Sequence, residues 1–359
     1  MEWLEALVLG AVQGVTEFLP ISSDGHLLIT QMLFAWLTGS NKSGAENLFF
    51  DVMLHLGTLT AIIVYYRAVV KTSAKGLLGS EEVPPSYRRS ALIRTGILAA
   101  VATSPLVPLA LFFMKLIKSA FNPDNPVPAG VGFLITAAVL LLTAVFQKRG
   151  EAGKGPAETT ILDALLIGLA QMFAPLPGVS RSGLTVATAL GLGLSRSWAV
   201  GFSLLIAVPA ILGAASKELL DVYKGKTELI LTGDRVAQTI AATVLAGIIG
   251  YGAIIWLVKI VRSGRMWYFS VYLIVLGIVV LLVASRMTLK TTGASADARL
   301  EKAAHGTLRG DDSRPRLERG SERTPGSLDH PQRTGARAIP GDARSVFHRR
   351  QATSRLALG

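Results

Sequence analysis

Gln13-Gly14-Val15-Thr16-Glu17-Phe18-Leu19-Pro20-Ile21-Ser22-Ser23-Asp24-Gly25-His26 interrupts an apolar stretch of membrane length near its middle. A second such stretch is broken by Gln171-Met172-Phe173-Ala174-Pro175-Leu176-Pro177-Gly178-Val179-Ser180-Arg181-Ser182-Gly183-Leu184-Thr185. An ionisable group at membrane depth is a functional-site hypothesis by default, because its burial is costly unless it acts on something polar. Half of the 359 residues are hydrophobic and 17% are charged, the balance of a polytopic membrane protein. Six candidate spans run roughly 48–66, 91–114, 129–147, 198–215, 236–259 and 267–285, each near the ~20 residues a crossing needs.

Sliding the chain on itself by 158 residues aligns the two breaks. Ala6/Ala164, Leu7/Leu165, Gly10/Gly168, Gln13/Gln171, Ser22/Ser180, Gly25/Gly183 and Thr30/Thr188 are identical. Polar and glycine positions dominate these matches, where apolar composition alone would not create them. Each copy has one broken segment followed by three spans, and an odd number of crossings inverts the second copy. The expected fold is therefore an all-α integral membrane protein, with about six transmembrane helices and two re-entrant broken helices in an inverted-topology repeat. Irregular backbone at that depth is tolerated where it is buried in protein or lines a cavity.

The expected domains are a catalytic membrane part over 1–285 (repeats about 1–147 and 161–285) and a basic tail over 286–359. The tail carries 15 Lys and Arg against 8 Asp and Glu, which leaves +7 of the net +12 there and +5 in the membrane part. Rich in Arg, Gly, Ser, Thr and Pro and without apolar periodicity, it reads as disordered. Loops at 67–94, 148–160, 194–197 and 259–265 hold thirteen Lys and Arg against seven on the opposite short loops. The positive-inside rule makes the richer side cytoplasmic, with the first break opening outward.

With no cysteine, thiolate catalysis and disulfides are excluded. The lack of a G-x-x-x-x-G-K-[ST] loop argues against ATP-driven work. No basic n-region or A-x-A-like site is present, so a cleaved signal peptide is not expected.

Gly10, Gln13 and Glu17 share one helix face. Pro20 should stop the incoming half-helix, and Ser22 or Ser23 should cap the outgoing one. Ser23 and His26 can then project from its first turn. Pro177-Gly178 makes the second turn, and Ser180-Arg181-Ser182 opens another half-helix. Two helix N-termini plus Arg181 make an anion pocket, with Arg suited to bidentate phosphate recognition. Ser, Glu and His beside it supply a nucleophile and proton-transfer groups. A pocket of this kind within lipid points to a phosphorylated lipid. Simpler duties compete: capping for Ser22, Ser180 and Ser182, packing for Gly25, Gly178 and Gly183, and a helix-end charge for Asp24. His55, inside a span, is balanced between lining the cavity and a satisfied core role.

At these residues the chain resembles the undecaprenyl-diphosphate phosphatase family of bacteria, also called bacitracin-resistance proteins. That family carries [E/Q]-x-x-x-E, then P-x-S-S-x-G-H and P-G-x-S-R-S-x-x-T, matched here by Gln13 with Glu17, Pro20 to His26 and Pro177 to Thr185. The likeness covers roughly 1–285, including Phe50-Asp51-Val52 with Leu56-Gly57-Thr58 and Phe202-Ser203 with Ala207-Val208-Pro209. It implies removal of the terminal phosphate of undecaprenyl diphosphate in the bacterial plasma membrane, renewing the lipid carrier of peptidoglycan synthesis and giving bacitracin resistance. It also implies Glu17, Ser23, His26 and Arg181 as catalytic positions, with Gln13, Ser22, Gly25, Gly178, Ser180, Ser182 and Thr185 around the substrate.

A divalent cation, Mg2+ or Ca2+, is implied as well, with Glu17 and, more weakly, Asp24 as its contacts. Asp24 departs from the family's common Thr, and the tail lies outside its pattern. The expected partners are the polyprenyl diphosphate and the bilayer, with no nucleic acid; a homo-oligomer is left open. The nucleophile is Ser23, His26 or water. A transporter or flippase of a phosphorylated lipid is the rival, since inverted repeats with broken helices are its usual design. Acid-phosphatase-type lipid phosphatases are disfavoured, because no His and Asp follow Ser180-Arg181 at their spacing.

Overall fold

The structure is a computed structural model and describes residues 2–39, 48–109, 125–145, 152–224 and 233–286. Lys42, Lys115, Lys118, Lys148, Arg149, Lys226 and the tail from 287 lie outside the described residues. Among those described there are helices and no strand beyond one isolated bridge, Lys154 with Leu194. This is an all-α integral membrane protein.

Helix α1 (Trp3–Thr16) and α2 (Ser23–Thr38) flank the first break. The incoming helix ends four residues before Pro20 rather than at it. A proline ring clashes with the carbonyl four residues back, which here belongs to Thr16, so the helix cannot run on to the proline. Helix α3 (Leu48–Tyr65) turns by 70° into α4 (Arg67–Leu77), whose Arg67, Lys71 and Lys75 give it a polar face suited to a membrane surface. Then come α5 (Arg89–Thr103), continuing as an apolar span to Pro108, and α6 (Val127–Thr143).

The second break separates α7 (Ile161–Gln171) from α8 (Arg181–Gly191). Thr160 and Asp163 start α7 with a capping box, and Lys154 holds the same carboxylate at 3.0 Å. The remaining helices are α9 (Arg196–Tyr223), α10 (Gly233–Arg262) and α11 (Tyr268–Arg286). Among the described residues four helices are long and apolar enough to cross a membrane, five if the bent α3–α4 pair is one span. The sixth expected span, α6, has 17 residues, the lower limit for a crossing.

Packing between the copies is reciprocal. Helix α1 of the first copy packs on α10 of the second, and α7 of the second packs on α5 of the first. In the same way α3 meets α10 and α9 meets α5. The close crossings use glycines that the repeat aligns. A Cβ on Gly10 would lie 2.6 Å from the Ala242 carbonyl oxygen, and one on Gly168 would strike the backbone of Ala102. Gly14 against Ala246 extends the first seam, the small-residue pattern that lets membrane helices approach.

The four loops grouped by charge also meet one another. Arg94 donates to the carbonyls of Pro156 and Thr159 at 2.6 Å each. Lys154 and Ser195 are joined backbone to backbone, and Arg196 donates to the Arg262 carbonyl at 2.9 Å. These loops therefore lie at one end of the molecule.

Candidate active site

Each outgoing half-helix is capped in the same way. Ser22 accepts from the Gly25 N–H at 3.3 Å, and Ser180 accepts from the Gly183 N–H at 3.1 Å. These are the serine and glycine pairs that the 158-residue offset matches. Ser22, not Ser23, is the cap, so the Ser23 hydroxyl is left for other work. The two breaks interlock: Ser182 Oγ donates to the Leu19 carbonyl at 3.1 Å, and a Cβ on Gly25 would lie 2.9 Å from Gly178 Cα. Gly178 has φ 81°, a left-handed conformation that favours glycine. Thr136 of α6 clamps this turn, donating to the Gly178 carbonyl and accepting from the Ser180 N–H.

Glu17 is the centre of the site, with its side chain only 4% exposed. Arg181 Nη2 donates to its Oε1 at 2.7 Å. Gln13 Nε2 donates to Oε2 at 3.0 Å and Ser23 Oγ at 2.8 Å. A hydroxyl donating to a buried carboxylate at that distance has a proton acceptor within direct reach. Gln171 is the counterpart of Gln13, but Pro175 stands where Glu17 would be, and both amide atoms of Gln171 are buried without a partner. The duties of the two breaks have diverged, one holding the proton-transfer groups and the other the cation.

His26 faces elsewhere. Its Nδ1 lies 2.7 Å from the Ser22 carbonyl and its Nε2 lies 2.7 Å from the Tyr272 hydroxyl. Of the residues expected around the substrate, Thr185 is bonded within the protein, to Ser203 at 2.6 Å and to the Arg181 carbonyl at 2.9 Å. Ser180 and Ser182 share a bond at 3.2 Å.

His55, which the sequence leaves balanced between lining the cavity and a satisfied core role, does both: its Nδ1 lies 2.7 Å from the Asp51 carbonyl, and its Nε2 reaches within 3.5 Å of Glu17 Oε2. Its position inside an apolar span was the available signal. Tyr272 arrives from α11 and carries no sequence signal of its own.

A cation was expected at Glu17 and Asp24. Both Glu17 oxygens accept hydrogen bonds, and Oε1, with Arg181 its one donor among the described residues, keeps a lone pair that a cation could use. Asp24 is exposed on the first turn of α2 and in electrostatic reach of Asp51. Asp51 Oδ1 is buried with no hydrogen-bond partner. Magnesium is commonly held by one or two carboxylates plus substrate phosphates, the class of donor that Asp24 and Asp51 carry.

Fold and site together define an integral membrane protein in which a buried carboxylate joins a serine and an arginine from two broken helices. The chain belongs to the bacitracin resistance protein BacA family, whose model matches residues 6–279. It is 36% identical over 284 residues to an undecaprenyl-diphosphatase of Carboxydothermus hydrogenoformans, covering 79% of this chain and 98% of that protein. An undecaprenyl-diphosphatase of Corynebacterium efficiens is 37% identical over 287 residues, covering 79% and 91%. One from Chloroherpeton thalassium is 34% identical over 291 residues, covering 79% and 98%.

Proposed function

We propose that this chain hydrolyses undecaprenyl diphosphate to undecaprenyl phosphate and inorganic phosphate, which returns the lipid carrier to peptidoglycan synthesis and gives bacitracin resistance. The observation that carries the mechanism is the line Ser23–Glu17–Arg181, drawn from both breaks. Glu17 Oε2 takes the Ser23 proton as Oγ attacks the terminal phosphorus. The bond from that phosphorus to the bridging oxygen breaks, and undecaprenyl phosphate leaves. Glu17 passes that proton to the departing undecaprenyl phosphate; it then takes one from the water that attacks the phosphoserine and returns it to Ser23 Oγ as the O–P bond breaks and inorganic phosphate leaves. Arg181 keeps donor capacity for phosphoryl oxygens, since a guanidinium has five N–H groups. Positioned charge of this kind is what phosphoryl transfer chiefly requires.

Both ring nitrogens of His26 are already engaged, which favours Ser23 over His26 as nucleophile. Asp24 and Asp51 would hold Mg2+ or Ca2+ beside the diphosphate, where a cation neutralises phosphate charge. The protein would reside in the bacterial plasma membrane. The basic loops clustered at one end support a cytoplasmic face there and a site opening to the outer face. A flippase could use the same pocket, yet an activated serine has no task in moving a lipid.

The test is phosphate release from a polyprenyl diphosphate by purified protein in detergent. Wild type should be active, and Glu17→Ala, His26→Ala and Arg181→Ala should each lose most of the activity. An inactive wild type, with lipid movement in vesicles that still requires Arg181, would overturn the enzyme reading.

A further inference from the structure

His26 is clamped at both ring nitrogens and on two faces. A carbonyl oxygen can only accept, so the 2.7 Å contact with Ser22 puts a proton on Nδ1. The carbonyl is aimed there by a backbone with φ 72° at Ser22, the one left-handed non-glycine among the described residues. With Nδ1 protonated, the neutral ring offers Nε2 as an acceptor, and the Tyr272 hydroxyl 2.7 Å away is its donor. The phenol ring also stacks on the imidazole, with centroids 5.8 Å apart at 15°. Phe133 of α6 closes the ring's other side edge-on, at 5.1 Å and 68°.

The place of Tyr272 in the fold agrees with this. Helix α6 clamps the second break through Thr136, and α11 is its counterpart in the other copy. Tyr272 on α11 does for the first break what Thr136 does for the second, but its partner is a histidine side chain instead of backbone.

We propose that Tyr272 is a positioning residue, which fixes His26 in the Nδ1–H tautomer and keeps Nε2 as the ring's proton-accepting end. The hydrogen bond from the last span thereby completes the site that the two breaks begin. The catalytic consequence rests on the phosphatase reading; the tautomer does not.

Tyr272→Phe keeps the stacked ring and removes only the donor. In protein labelled with 15N-histidine, with His26 assigned by comparison with His26→Gln, the Nε2 resonance should move toward that of an unbonded ring nitrogen. In the phosphate-release assay kcat should fall about tenfold, the worth of one hydrogen bond that holds a site histidine in place, with KM within about twofold. Tyr272→Leu, which also removes the stack, should fall further. An unmoved Nε2 resonance in Tyr272→Phe would overturn the tautomer assignment. A moved resonance with unchanged kcat would overturn the positioning role and leave the phosphatase reading intact. A wild type that releases no phosphate fails the phosphatase reading, and the resonance still decides the tautomer.

Discussion

Glu17 and Arg181 meet at 2.7 Å although 164 residues separate them, and each belongs to a different copy of the repeat. Neither copy holds a complete site. The first supplies a carboxylate and a hydroxyl, the second supplies the cation that keeps the carboxylate in place. Convergence of the two breaks, rather than either motif, creates the chemistry.

Arg181→Ala should therefore damage both stability and activity. Removing one partner of a buried pair leaves the other charge uncompensated, at a cost of roughly 3–5 kcal/mol. Loss of the clamp should lower kcat by about 10²–10³. Arg181→Lys keeps the charge but not the planar fork, so melting in detergent should recover while phosphate release stays well below wild type. Full activity in the lysine variant would show that charge alone suffices.

The two neighbouring serines can be told apart. Ser22 caps α2, so Ser22→Ala should cost about 1 kcal/mol of stability and leave measurable turnover. Ser23 makes its bond to Glu17 instead, so Ser23→Ala should melt close to wild type while kcat falls on the order of 10³-fold or more. Substantial phosphate release by Ser23→Ala would point to direct attack by water.

Much of this was legible because it is local. Prolines, capping serines and turn glycines act within a few residues, so both breaks, both caps and the residues Glu17, Ser23 and Arg181 can be read from spacing. Pro20 stops α1 as the sequence suggests, and the helix ends at Thr16 because a proline's exclusion acts four residues back. Tyr272 is out of reach for a different reason, since it comes to the site on α11 through packing between spans that apolar periodicity does not specify, and the same packing decides between the two roles left open for His55. Thr185 shows the converse: its motif position suggested a substrate contact, yet its hydroxyl is bonded to Ser203.

The seam between α1 and α10 should tolerate no side chain. A Cβ at Gly14 would stand 2.8 Å from the Ala246 carbonyl oxygen, so Gly14→Val must push backbone apart, at a cost of about 1–3 kcal/mol or more. Gly252, on α10 with nothing within 4 Å of its virtual Cβ, is the control. Gly252→Ala should leave stability unchanged or raise it by about 0.5–1 kcal/mol. Thermal inactivation of the two variants in the same detergent makes the comparison, and equal melting would mean the helices do not approach this closely.

The proposed cation would have its address at Asp24 and Asp51. Asp51 brings a buried oxygen without a hydrogen-bond donor, and Asp24 an exposed carboxylate on the helix that carries Ser23. A cation held by both would sit beside the nucleophile without displacing Gln13, Ser23 or Arg181 from Glu17. Asp24→Asn and Asp51→Asn should each raise the Mg2+ or Ca2+ concentration for half-maximal activity by about tenfold, the effect of one lost charge-assisted contact. Activity at saturating cation should largely return, because neither residue takes the serine proton. Chelation should abolish turnover in wild type and leave its melting temperature nearly unchanged, since Lys154–Asp163, Arg181–Glu17 and the helix caps are formed without metal. Cation titrations that superimpose for wild type and both variants would remove these carboxylates from the site and return the search for a ligand to Glu17.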